Sequence, residues 1–179
     1  TGDLMPVMTT LPRVSPAGLM RYRSSGFGRE YEGNLFSAQF NTGRVMRHVI
    51  TPAGATFRTE DFPFMTSDSL DTHPTDVLED ADGSLLVVNT GGWFIAGCPL
   101  SVVAKPDIPG GIFRIRKIDA PEMEDPWGRR LDFTSMSLDS VSTFLNDARP
   151  AVRENALEEM IDNGEAAIDL FRKILISSE

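Results

Sequence analysis

His73 stands three residues before Asp76, at the start of the apolar run Val77-Leu78. An imidazole held near a carboxylate is a general base poised to take a proton from a hydroxyl. The same spacing serves a plainer end, with Asp76 accepting hydrogen bonds from turn amides and His73 packing beside the strand. A second group follows the apolar stretch Leu85 to Val88: Asn89, Thr90, Gly91, Gly92 and Trp93 place polar groups beside an aromatic ring at a strand end. That combination suits contact with a flat ligand, or equally a tryptophan packed between sheets. Lys105, just before Pro106, is the one lysine of the loop that runs on to Pro109. Gln39, Asn41 and Arg44 flank a turn, and the alternation of Arg44, Arg47 and His48 with apolar residues reads as a solvated strand face.

Other chemistries find less support. Asp80 and Asp82 before Gly83 match the first half of a calcium loop, but the distal acidic ligand is missing, so a hairpin turn and no metal are expected. Cys98, the single cysteine, lies between Gly97 and Pro99 and reads as a half-buried thiol. One cysteine makes neither an internal disulfide nor a haem-attachment motif. There is no Gly-x-Ser-x-Gly elbow, phosphate-cradling glycine loop or His-Glu-x-x-His pair, which leaves hydrolase, nucleotide and zinc-protease readings unsupported.

The elements that must position these residues change character along the chain. From Pro16 to Lys117 short strand-like runs alternate with turns: Gly18–Tyr22, Asn34–Asn41, Arg44–Thr51, Thr75–Glu79, Leu85–Asn89 and Ile112–Lys117. Asn41-Thr42-Gly43, Pro52-Ala53-Gly54 and Asp80-Ala81-Asp82-Gly83 supply the residues that tight hairpin links need. Two stretches, beginning at Pro16 and Pro74, repeat one plan at an offset of about 58 residues: a strand after a proline, a strand after a glycine, and a third that alternates basic and apolar. Residues 59–72 read as an inserted or fourth-strand segment.

After Lys117 an acidic, proline-punctuated stretch, residues 118–136, is expected to be a linker. From Leu138 the period becomes helical. Leu138, Val141, Phe144 and Leu145 line one helix, Val152, Ala156, Met160 and Ile161 a second, and Ala167, Ile168, Phe171, Ile174 and Leu175 a third. Pro150 suits a first helical turn and Asn163-Gly164 a C-terminal cap.

The chain has 179 residues, 41% of them apolar and 24% charged, which is ordinary for a folded protein. Its net charge of −9 opposes binding to phosphate backbones or anionic membranes, so no nucleic acid partner is expected. No stretch is apolar for long enough to span a membrane.

The fold class expected is mainly β with an α C-terminus: a partial β-propeller over residues 1–117, followed by helical repeats over 137–179. His73 through Val88, closed by Gly111-Ile112-Phe113-Arg114-Ile115-Arg116, resembles the last blade of soluble quinoprotein glucose/sorbosone dehydrogenase-like propellers. Leu145-Asn146-Asp147 with Arg149-Pro150-Ala151-Val152-Arg153 resembles the turn of a HEAT repeat, and a generic helical hairpin is the alternative. With Gly18–Tyr22 and Asn34–Asn41, the chain resembles the bacterial membrane-bound dehydrogenase family, which joins such a propeller to HEAT repeats and often to a c-type haem domain. Two or so blades do not close a ring, so further blades and helices outside this chain are expected.

The resemblance implies oxidation of a sugar or alcohol with pyrroloquinoline quinone and Ca²⁺, electrons passing to a cytochrome, in the periplasm or another extracytoplasmic space. Haem c enters only through a separate domain outside this chain. On this reading His73 and Asp76 are the catalytic candidates, and Gln39, Asn41, Asn89, Trp93 and Lys105 the cofactor-binding ones. The competing expectation is a propeller and HEAT scaffold that binds a protein partner through its helices.

Overall fold

The computed structural model describes residues 6–92, 105 and 107–177. The chain forms two compact units, Thr1–Ile118 and Asp119–Glu179. The first is built of antiparallel strands and the second of helices, so the molecule is mainly β with three α-helices at its C-terminal end.

In the first unit β1 (Pro16–Arg21), β2 (Leu35–Gln39), β3 (Arg44–Ala53) and β4 (Thr56–Thr66) make one sheet in that order. A second sheet holds β5 (Pro74–Glu79), β6 (Leu85–Asn89) and β7 (Gly111–Ile115). Every pairing is antiparallel between sequence neighbours, as short turns dictate. The two sheets share one detail of their hydrogen bonding. Pro16 stands opposite Gln39 and Pro74 opposite Asn89, and each first strand bulges immediately afterwards. The Phe40 amide donates to the Ser15 carbonyl at 2.9 Å, and the Thr90 amide to the His73 carbonyl at 3.2 Å, which are matching bonds.

Of the two readings of residues 59–72, inserted segment or fourth strand, the fourth strand holds as far as Thr66. β4 begins at Thr56, before the expected boundary, and pairs with β3 from Ala53↔Thr56 to Arg44↔Thr66. Pro63 within it lies at the sheet's edge beside a register shift, where a missing N–H costs no ladder bond.

The two sheets meet along β1 and β5. Gly18 permits this, because a Cβ there would lie 2.7 Å from the Asp76 Cα. Between them lies a core of Tyr22, Phe27, Phe36, Ala38, Val45, Val77, Leu85 and Val87. Phe64 meets Phe27 and Phe36 edge-on, with centroids at 5.4 and 4.9 Å, a geometry that sets ring edges against π-faces. Tyr22, fully buried, donates its hydroxyl to the Gly83 carbonyl at 2.6 Å and accepts from the Phe27 amide at 3.2 Å. Glu79 at the end of β5 accepts the Arg23 and Ser24 amides, each at 2.8 Å, so the chain leaving β1 is fastened to the second sheet.

The second unit contains α1 (Leu138–Thr143), which passes into a single 3-10 turn, then α2 (Pro150–Asp162) and α3 (Glu165–Ser177). Ser137 caps α1 by accepting the Ser140 amide, and Pro150 opens α2 where its missing N–H is harmless. Phe133, Val141, Val152, Ala156, Met160 and Ala167 form its core. Because Phe133 is buried there, the stretch expected as a bare linker belongs in part to this unit. Gly128 has φ +65°, and a Cβ on it would lie 2.7 Å from the Val152 side chain. Ile161, Ile168 and Leu175, expected on the packed faces, are exposed at 60%, 43% and 70%. Among the described residues no helix is long and apolar enough to cross a membrane.

Candidate functional site

The residues expected to do chemistry gather at the start of β5 and the end of β6. His73 is buried. Its Nδ1 lies 2.7 Å from the Gly91 carbonyl, an acceptor only, so Nδ1 carries the hydrogen. Its ring also stacks on Phe40 with centroids 4.7 Å apart. Asn89 uses one oxygen for two buried donors, the His73 amide at 2.6 Å and the Gly91 amide at 3.2 Å. These bonds knit the start of β5 to the turn after β6.

Asp76, half-buried, accepts the Val77 amide at 2.9 Å and presents its carboxylate to Gly18 of β1. The register shift between Pro74 and Asp76 sets its position relative to β6.

The other expected contacts each have a local partner. Gln39, buried, accepts from the Thr42 hydroxyl at 3.0 Å. Asn41 accepts the Ser15 amide at 2.7 Å and donates to the Arg13 carbonyl. Lys105 pairs with Asp71 at 2.7 Å, while its backbone N–H donates to the Gly92 carbonyl. Trp93 and Cys98 lie outside the described residues. The amides of Gln39, Asn41 and Asn89 and the ammonium of Lys105 thus hold turns and loops in shape.

Asp80 and Asp82 sit in the β5–β6 hairpin, as the turn reading has it. Arg114 reaches Asp80 at 2.6 Å, and Arg116 reaches Asp82 at 2.6 Å. Burial raises the Asp82 pKa, but the Ser84 hydroxyl and amide and the two guanidinium groups outweigh it and hold that carboxyl below its ordinary range. Among the described residues no group of three or more His, Cys, Asp or Glu side chains is disposed to hold a metal ion.

Sequence reading missed one constellation. His48, expected on a solvated face, is only 3% exposed. Its Nδ1 lies 2.7 Å from Asp61 on β4, its Nε2 lies 2.8 Å from the Ser37 hydroxyl on β2, and Thr9 donates to the other Asp61 oxygen at 2.5 Å. Burial raises the Asp61 pKa, but hydrogen bonds from Thr9 and His48 outweigh it, so the group sits below the usual aspartate range and is ionised at neutral pH. Nδ1–H therefore donates to Asp61, and Nε2 accepts from Ser37.

The order Ser, His, Asp is that of a nucleophilic triad. Ser37, however, is 7% exposed on a strand paired on both sides, with Leu19 and Met46 as partners. Backbone amides engaged in two ladders are not aimed at a developing oxyanion, so the arrangement reads as a structural tie. The only sequence signal was a histidine among basic residues; its partners come from three other segments, joined by a register that no local pattern encodes.

Comparison with protein-family models, curated proteins and solved structures finds no match to this chain.

Proposed function

We propose that the first unit supplies two blades of a β-propeller akin to the soluble quinoprotein dehydrogenases, and that the helices of the second unit begin a HEAT-like array. The activity proposed for the whole protein is oxidation of a sugar or alcohol, with electrons passed to a cytochrome in a periplasmic or other extracytoplasmic space. The observation behind this reading is the repeat itself: two antiparallel meanders adjoin along their first strands, with Pro16/Gln39 and Pro74/Asn89 in matching places.

The polar side chains named for pyrroloquinoline quinone and described in these two sheets are engaged with turns and, in Lys105, with Asp71. The proposal therefore places the quinone on blades outside this chain and gives these two a framework role. Asp76, half-buried on the first strand of its sheet and set against Gly18 of β1, is the residue through which a role for this segment is tested.

The second reading is a non-catalytic propeller and HEAT scaffold for a protein partner. It draws on the same commitment of His73, Asn89 and Gln39 to structural hydrogen bonds.

Titration of the full-length protein with pyrroloquinoline quinone and Ca²⁺, with dye reduction followed over a panel of sugars and alcohols, separates the two. Saturable binding with turnover that survives Asp76→Asn supports the enzyme with its site elsewhere. Turnover lost in that variant, with folding intact, returns the site to this segment. No binding and no turnover favours the scaffold.

A further inference from the structure

We infer that residues 9–15 form a strap held across the first sheet by the Thr9, Asp61, His48 and Ser37 chain, and that protonation of Asp61 in acid releases it. The strap has two anchors. At one end Thr9 donates to Asp61 of β4 at 2.5 Å. At the other, Asn41 accepts the Ser15 amide and donates to the Arg13 carbonyl, while the Phe40 amide donates to the Ser15 carbonyl. Asp61 stands opposite His48, whereas Asn41 lies in the turn between β2 and β3, so the intervening residues run diagonally from the edge strand to that turn.

The first anchor depends on charge. Asp61 accepts from two donors, the Thr9 hydroxyl and His48 Nδ1–H, and a carboxylate makes roughly twice as strong a hydrogen bond as a neutral acceptor. The groups facing His48 are few. Across β2 they are Leu35 and Ser37, across β4 Thr59 and Asp61, and from the strap Thr9. Arg47 and Glu60, its sequence and strand neighbours, alternate to the opposite face, where Arg47 covers the Tyr31 ring at 3.8 Å. Among the described residues, Asp61 is thus the one carboxylate facing the imidazole.

A proton added at Nε2 leaves the bond to Asp61 intact and turns the Ser37 hydroxyl from donor to acceptor. A proton added to Asp61 removes the charge that holds both donors. The sign is fixed by the depressed Asp61 value: the tie is fully present above the ordinary aspartate range and is lost as pH falls through the lower folded value.

Methyl ¹H–¹³C NMR of the full chain, followed from neutral pH to about pH 3, tests the strap. The methyls of Thr9, Leu11 and Val14 should move to their unfolded-chain positions below about pH 4, before those of Val45 and Val87 in the core do. Thr9→Val should expose the strap at neutral pH, remove its acid dependence and leave the sheet in place. Asp61→Asn should do the same where it folds. Strap methyl positions that are independent of pH, or that move only together with the sheet, or that are unchanged for Leu11 and Val14 in Thr9→Val, would overturn the inference.

Discussion

At the residue scale, Asn89 shows how one side chain decides a site's shape. Its amide oxygen receives the His73 and Gly91 amides, both buried away from water. The His73 ring in turn reaches the Gly91 carbonyl, so three groups at the start of β5 and the end of β6 are mutually dependent. Asn89→Ala leaves two buried donors without this acceptor, and each orphaned donor costs about 1–3 kcal/mol. Asn89→Asp keeps an acceptor oxygen for both amides. Denaturant unfolding should show Asn89→Ala destabilised by roughly 2–4 kcal/mol, with Asn89→Asp recovering much of the loss. Equal losses in the two variants would mean that the amide nitrogen, and not the oxygen, carries the contribution. His73, Asp76 and Asn89 were singled out from sequence because their types and spacing are local. That Asn89 answers the His73 amide was hidden, because it depends on the register of β5 against β6.

At the element scale the same limit recurs. The turns Asn41-Thr42-Gly43 and Asp80-Ala81-Asp82-Gly83 were legible because their residues have conformational or hydrogen-bonding preferences of their own. β4 was only half legible. Its run Arg58-Thr59-Glu60-Asp61 and its Pro63 mask the alternation, and an edge strand tolerates both. His48 was misread for a related reason: Arg44 is exposed and Arg47 lies on the opposite face over the Tyr31 ring, but the face of His48 is closed by Asp61 and Ser37. The meeting of β1 with β5 is likewise non-local and rests on Gly18. In Gly18→Ala the new Cβ would fall 1.9 Å from Asp76 Oδ1 and 2.7 Å from its Cα. The carboxylate can rotate away, but the backbone must shift, so an overpacking cost of about 1–3 kcal/mol is expected. Asp76→Ala alone should cost less, and combined with Gly18→Ala should relieve only part of the clash. A double-mutant cycle by denaturant melting measures this, and full relief would place the contact in the Asp76 side chain alone.

At the scale of the whole molecule, the change from strand to helical periodicity was legible in sequence, and the structure has two units with separate buried clusters. The boundary was less so, because Phe133 and the Asp125 turn precede the first helix in a stretch without period. The Arg129 and Arg130 amides donate to the Asp125 carboxylate, and Arg149 donates to its carbonyl at 3.0 Å, which ties this stretch to the start of α2. Separate cores imply separable unfolding. Met160 and Leu85 are each fully buried, one in each cluster, and truncating such a side chain to alanine costs about 2–5 kcal/mol. In Met160→Ala, amide exchange should accelerate across α1 and α2, while β2, β3 and β6 keep wild-type protection. Leu85→Ala should give the converse. The two changes should add, since the side chains share no cluster. If either variant instead loosens both units together, the two clusters unfold as one cooperative structure, and the helices then owe their stability to the sheets and not to the Phe133, Val152 and Met160 core.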